Sequence, residues 1–149
     1  MTIELYQQEV TVELMDLLLM ADPGEEAIAG YIDDSSIFVA YDSHRMIGVA
    51  VLAFEKEKAE LMNLAVEESC QGRGVAKELI FKAQDFAKEC GVLSMQVKTG
   101  NSSLSQLALY QKCGFRMQSI EQGHFQEYPE PIYENGIRCL DRVVLCAKL

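Results

Sequence analysis

The sequence predicts an α/β chain: a mixed, mostly antiparallel central sheet of six to seven strands flanked by about four helices. Three observations predict it. Segments of strand character alternate with segments of helical period in the order strand, two helices, three-strand meander, helix, strand, helix, two strands. Glycine, proline and Asp/Asn/Ser clusters separate them at short intervals. The 149 residues, 49% apolar and 24% charged, are enough to close one hydrophobic core and leave no room for a second, so residues 1–149 are expected to form a single domain.

Residues 3–5 open as a short strand. Residues 11–20 carry Val12, Met15, Leu18 and Leu19 at helical spacing up to the Asp22-Pro23-Gly24 break, and 25–32 read as a second short helix. The period then changes. Residues 36–41 form a strand, Asp42-Ser43-His44-Arg45 a turn with His44 in solvent, and 46–54 the hairpin partner. After a turn at 56–58, residues 60–66 form another strand, which runs through 67–74 into a long helix. Its apolar stripe is Val75, Leu79, Ala83, Phe86 and Cys90, backed by Ala76, Ile80 and Ala87, and Gly91 stops it. Residues 92–98 are a buried strand, and 102–112 a helix with Leu104, Leu107 and Ala108 inward, ended by Gly114. Residues 115–120 are a strand, 122–137 an irregular acidic and aromatic stretch, and 139–147 the last strand.

A formal charge of -10 excludes a protein that tracks nucleic-acid phosphates, which needs a basic face to displace counterions. An acidic surface gathers amines and polyamines, and it serves solubility equally well. The five cysteines, Cys70, Cys90, Cys113, Cys139 and Cys146, are widely spaced, with no CxxC pair and no histidine at ligand spacing. That is a reduced, metal-free pattern, and Cys90, Cys113 and Cys146 are expected in the core. Glu4 and Glu9 interrupt the N-terminal apolar character, and no run approaches the ~20 apolar residues of a bilayer span. A cytoplasmic protein with no membrane and no nucleic-acid partner is expected.

The sharpest feature is a strand ending in Leu64-Ala65-Val66, followed by Gln71-Gly72-Arg73-Gly74-Val75-Ala76 and a helix. Glycines at the mouth of a helix let backbone approach a ligand, and the unpaired N–H groups of the first turn attract an anion such as a pyrophosphate. A P-loop requires GxxxxGK[ST], which is absent; a dinucleotide fingerprint requires a third glycine where this chain has Lys77. The remaining pattern, (Gln/Arg)-x-x-Gly-x-(Gly/Ala), resembles the coenzyme A loop of the GNAT acetyltransferases. Downstream, residues 95–98, Asn101 and Leu109-Tyr110-Gln111-Lys112-Cys113-Gly114-Phe115 are similar to the strand, polar residue, helix and Tyr-x-x-x-Gly-Phe ending of that family. With the hairpin before and the strands after, the resemblance spans essentially the whole chain.

The resemblance implies the GNAT acyl-CoA N-acyltransferase fold and an acetyl-CoA-dependent N-acetyltransferase that uses acetyl-CoA as cosubstrate and no metal. It implies a pantetheine arm between strands 60–66 and 92–98, bonded to backbone around Leu64, Ala65 and Val66, with the N–H groups near Ala65 and Val66 facing the thioester oxygen. The phosphates would lie over Gln71, Gly72, Arg73, Gly74, Val75, Ala76 and Lys77, and Tyr110 would protonate the departing sulfur. Asn101, nine residues before Tyr110, and Ser103, at the shorter spacing of many members, are both candidates for a polar cofactor contact. For a base, Glu60 matches the glutamate of the histone-acetylating branch, and a water chain is the alternative. Gln96 stands where N-terminal acetyltransferases often carry a glutamate, and it cannot take a proton.

His124, Glu127, Tyr128 and Tyr133 fall in the stretch with which family members wall the acceptor pocket, where an acidic, aromatic lining suits a cation; a solvated loop fits the same residues. Residues 128–137 resemble the C-terminal segment of some bacterial small-molecule members, including aminoglycoside-modifying ones. The expected acceptor is a primary amine on a small cationic molecule, attacked directly in a ternary complex. Protein lysine acetylation and a non-catalytic acyl-CoA-binding module are the competing readings, and a homodimer is left open.

Overall fold

The computed structural model describes residues 1–149. The alternating segments become β1 (Thr2–Tyr6), β2 (Ser36–Asp42), β3 (Arg45–Glu55), β4 (Lys58–Val66), β5 (Ser94–Gly100), β6 (Arg116–Glu121) and β9 (Arg142–Lys148); a separate ribbon holds β7 (Tyr133–Glu134) and β8 (Ile137–Arg138). The helices are α1 (Val12–Ala21), α2 (Glu25–Ile32), α3 (Val75–Glu89) and α4 (Leu104–Lys112). The seven strands of the main sheet run in the order β1-β2-β3-β4-β5-β9-β6. Every neighbouring pair is antiparallel except β4 and β5. That single parallel pair needs a crossover, and α3 supplies it. No helix is long and apolar enough to cross a membrane.

The meander strands are apolar on both sides because helices cover both. Phe38, Ala40, Ala50 and Leu52 pack with Leu79, Ile80 and Ala83 of α3. The residues between them, Ile37, Val39, Val49 and Val51, pack with Leu14, Leu17, Leu18 and Ile28 of α1 and α2. Each fully buried Val, Leu, Ile or Phe among them contributes about 1.5–3 kcal/mol, and an alanine less. Thr11 starts α1 by accepting a hydrogen bond from the Leu14 amide at 3.2 Å.

Several expectations are corrected. The buried stripe of α1 is Leu14, Leu17 and Leu18, while Val12 is 80% exposed, because the run LMDLLL offers two apolar faces and only packing chooses between them. Cys90 is exposed, whereas Cys70, Cys113 and Cys139 are buried and Cys146 is intermediate. Leu104 and Ala108 face solvent; α4 buries Tyr110 instead, because one side of this helix walls a cavity. The stretch predicted as irregular contains the β7–β8 ribbon, turned by Asn135 and Gly136 at φ 55° and 75°. Positive φ at both central residues of an Asn-Gly turn is the tight hairpin signature.

The seat of α3 depends on Gly48 in β3. A Cβ there would lie 3.0 Å from Leu79 Cδ1 and 3.2 Å from Val75 Cγ1. The first turn of α3 therefore rests directly on the sheet backbone. Gly48→Val should lower stability by about 1–3 kcal/mol through overpacking, read as a shift of the urea midpoint. An unchanged midpoint would mean that α3 sits farther off than the contacts indicate.

Candidate functional site: a gap between two parallel strands

β4 and β5 pair from Lys58 opposite Ser94 to Leu61 opposite Val97, and no further. The separation coincides with a β-bulge. Val51 of β3 lies opposite Asn63, and Leu52 lies opposite Leu61, so Met62 is an extra residue in β4. A bulge bends its strand and disrupts the local ladder. It also resets the alternation of side chains: Glu60 and Asn63, three apart, emerge on the same face.

The hydrogen-bond phase of β4 determines what the gap presents. The Glu67 amide donates to Ile47 O at 2.8 Å. Hydrogen-bonded pairs recur at every second residue of an antiparallel ladder, so Ala65 opposite Val49 turns its backbone groups toward β3. Those of Leu64 and Val66 turn toward the gap. Gln71 donates to Val66 O at 3.0 Å, which leaves the Val66 N–H and both Leu64 groups open. Of the amides of Ala65 and Val66, that of Val66 points toward the gap and that of Ala65 toward β3.

At the gap, Leu64, Ala65, Val66, Gln71 and Ala76 line a cavity of about 230 Å³ together with Met20 and Ala21 of α1 and Ser105, Gln106, Leu109 and Tyr110 of α4. At its mouth, α3 begins with Gly74 at φ 81° and no side-chain cap. None of the amides of residues 72–77 has a hydrogen-bond partner in the protein. A Cβ at Gly72 or Gly74 would meet nothing within 4 Å, so these glycines are needed for their positive φ and leave open space over the turn. Arg73 and Lys77 are exposed beside it, with the Lys77 ammonium 5.8 Å from the Phe81 ring centre. Uncapped amides, a helix N-terminus and two cations together fit an oligophosphate.

A larger cavity of about 550 Å³ adjoins it, and Met20, Ala21, Leu64, Gln106 and Tyr110 line both. Glu60 is in its lining and accepts a hydrogen bond from Gln96 at 3.0 Å. Asn63, 4% exposed, donates to Leu18 O at 2.9 Å and to the Tyr31 hydroxyl at 3.1 Å, and its Oδ1 has no partner. A carbonyl can only accept, so the amide orientation is determined by Leu18. Tyr31 in turn donates to Asp22 at 3.4 Å.

Tyr110 is 6% exposed, with its ring 5.8 Å from that of Phe115 in edge contact. Burial pushes its phenol up to about 12, with a smaller push from Cys113. The hydroxyl therefore stays protonated across the physiological range.

The remaining sequence-predicted residues divide. His124 and Tyr128 line the larger cavity, with the His124 and Phe125 rings 4.7 Å apart, edge to face. Glu127 and Tyr133 are exposed and line neither cavity; Glu134 and Ile132 do, because the tight ribbon alternates its side chains and turns Glu134 inward. The expected acidic lining is in fact mixed, since Lys98 and Arg142 join Asp22, Glu60 and Glu134.

Asn101 is a clamp. Its Oδ1 accepts from the amides of Leu140 and Asp141 at 2.8 and 2.9 Å, and its Nδ2 donates to Arg138 O at 3.1 Å. Ser103 donates to Glu134 at 2.9 Å, beside Ser102 at 3.0 Å. These hydrogen bonds tie both side chains into the fold, and Ser103 also lines the larger cavity. Asp22, Tyr31, Asn63, Lys98 and Arg142 were missed; only the β-alternation from Gln96 to Lys98 hinted at any of them.

The sequence model of the acetyltransferase (GNAT) family matches residues 5–115. The chain is 42% identical over 140 residues to the uncharacterized N-acetyltransferase YvbK of Bacillus subtilis (strain 168), covering 93% of this chain and 90% of that protein. Among solved structures it resembles an IAA acetyltransferase from Bacillus cereus ATCC 14579, with TM-score 0.91, 45% identity and 99% of both chains covered. It also resembles a Bacillus subtilis acetyltransferase in complex with CoA, with TM-score 0.94, 42% identity, and 99% of this chain and 97% of that one covered.

Asn101→Ala strands two backbone donors and should cost about 1–3 kcal/mol, seen in the urea midpoint, while acetyl-CoA affinity of the folded protein is retained. A stable variant that has lost affinity would return Asn101 to the cofactor.

Proposed function

We propose that this chain, which belongs to the acetyltransferase (GNAT) family, acetylates the primary amine of a small molecule that enters as its ammonium cation, by direct attack in a ternary complex. Membership makes the chain an acetyl-CoA-dependent N-acetyltransferase. The finer reading rests on one observation: two adjoining cavities at the β4–β5 gap share Leu64 and Tyr110, together with Met20, Ala21 and Gln106. A donor arm in one and an amine in the other would meet there.

Acetyl-CoA supplies the activated acyl group. In our reading the free amides of residues 72–77, with Arg73 and Lys77, hold its diphosphate. The open backbone edge at Leu64 and Val66 carries the pantetheine arm as an added strand. The Val66 N–H donates to the thioester oxygen as charge builds on it. Glu60, directly or through water, takes the proton that the ammonium must lose before it can attack. Tyr110 returns a proton to the sulfur. A carboxylate on the acceptor side and an un-ionised phenol at the junction support this division of roles, because one group must accept a proton while the other donates one. Residues 1–149 act as one domain in this scheme.

Release of thiol from acetyl-CoA across a panel of polyamines, aminoglycosides, amino acids and peptides tests the reading. A control without acceptor is required because exposed Cys90 also reacts with thiol reagents. Tight acetyl-CoA binding with no acceptor-dependent release would favour a binding module.

Gly74→Glu should weaken acetyl-CoA binding by roughly 100-fold or more, since like charges in contact cost several kcal/mol. Gly74→Ala separates the backbone cost of the left-handed turn from that charge effect. Equal affinities in wild type and Gly74→Glu would remove the diphosphate from this turn. Tyr110→Phe should lower kcat by about 10²–10⁴-fold with little change in the KM for acetyl-CoA. The sign of its pKa shift adds a second readout. The folded phenol titrates above the unfolded one, so its contribution to stability is present below about pH 10 and is lost as pH rises toward about 12. In alkaline titration Tyr110→Phe should lack the most alkaline tyrosinate step; retention of that step, or of wild-type kcat, would exclude Tyr110 as the donor.

A further inference from the structure

The open face of the sheet beyond β4 carries its charges in order. Glu60 lies beside Gln96, and Lys98, two residues on, shares that face. Lys98 lies opposite Val144, Arg142 shares the face with Val144, and Glu121 lies opposite Arg142. The floor of the larger cavity therefore runs from acceptor groups at β4 to cations at β5 and β9. Two strand spacings, about 10 Å, separate the ends.

The partners of these groups are unequal. Glu60 takes a hydrogen bond from Gln96, Glu134 from Ser102 and Ser103, and Asp22 from Tyr31 and the Gly24 amide. All are neutral donors. The ion pairs of the chain are Arg45 with Glu67 and Arg142 with Glu121, and Lys98 belongs to neither. Lys98 is thus a half-buried cation in the cavity lining that makes no ion pair: the nearby Glu121 carboxylate feels its charge but is bonded to Arg142, whose guanidinium fork is only partly engaged. A bound anion would gain most at that place, because a cation removed from water without a partner is costly.

We infer that the acceptor is an aminocarboxylate, its amine at the Glu60–Asn63 end of the cavity and its carboxylate held by Lys98 with Arg142. This rests on the reading of the larger cavity as the acceptor site. It deepens that reading from an ammonium to an amino-acid-like molecule with opposite charges at its two ends. The unpartnered Asn63 Oδ1, on the same face as Glu60, marks the amine end as rich in acceptors, and the cations mark the other. A polyamine would bring a second positive charge to Lys98, where like charges repel.

The test compares amino acids with their decarboxylated counterparts: L-lysine with cadaverine, L-phenylalanine with phenethylamine, and L-methionine with 3-(methylthio)propylamine. For any pair turned over, kcat/KM should favour the carboxylate by about 10- to 100-fold, the range for one hydrogen bond to a charged group. Lys98→Met should erase most of that ratio by raising the amino acid's KM, and Lys98→Arg should restore it. Equal or better use of the decarboxylated amine, or a ratio that survives Lys98→Met, overturns the inference. Calorimetric titration of the same pairs into the CoA-bound protein distinguishes the two layers of reasoning. Amino-acid binding lost in Lys98→Met, without turnover, upholds the carboxylate site and sinks the catalytic reading. Failure of every amino acid both to bind and to react overturns the carboxylate site.

Discussion

The site depends on one interrupted pairing: two parallel strands that stop bonding to each other four residues after they start. An unpaired backbone group in a protein interior costs about 1–3 kcal/mol, so a sheet does not open without compensation. Here β3 supplies it. It pairs with β4 along the full length of that strand, across the bulge at Met62, so β4 stays rigid while its other edge is bare. The bare edge is a strand-shaped vacancy in hydrogen-bonding terms, and it can be filled by something extended carrying its own amides.

The same bulge couples shape to chemistry. Without Met62 as an extra residue, Glu60 and Asn63 would face opposite sides of the sheet. With it, both line the larger cavity. The neighbouring polar groups are largely satisfied within the protein: Asn101 holds residues 138–141, and Ser102 and Ser103 hold Glu134 and with it the ribbon. Open groups around the gap include the amides of residues 72–77, the outward groups of Leu64, the Val66 N–H, Asn63 Oδ1, and Lys98. In a folded chain nearly every buried polar group is paired. Asn63 Oδ1 is the buried exception here, and it lies in the lining of the larger cavity.

Tyr110 stands where the openings converge. Its ring packs on Phe115 and is sealed by apolar neighbours, and that sealing keeps the phenol protonated. The feature that makes it look like an ordinary core aromatic is the one that suits it to give up a proton only to a strong base such as a thiolate.

Much of this was legible in the residues alone. The strand and helix order and the glycine turn before α3 follow from local pattern, because periodicity and left-handed turns are decided by neighbours in the chain; Tyr110, Glu60 and the slot strand at 64–66 were singled out by the resemblance to the GNAT family. The buried face of α1 was not legible, nor were the solvent exposure of Cys90 and Ala108, the inward turn of Glu134 in place of Tyr133, the clamp at Asn101, or the cations Lys98 and Arg142 in the acceptor cavity. Each depends on what a distant strand or helix places opposite. The bulge at Met62 is the sharpest case: its register exists only between β3 and β4, and no single strand encodes it. The sequence by itself determined which chemical groups are available and on which elements they ride; the tertiary structure decided which of them face the gap, because direction in a sheet is set by pairing partners and not by the strand alone.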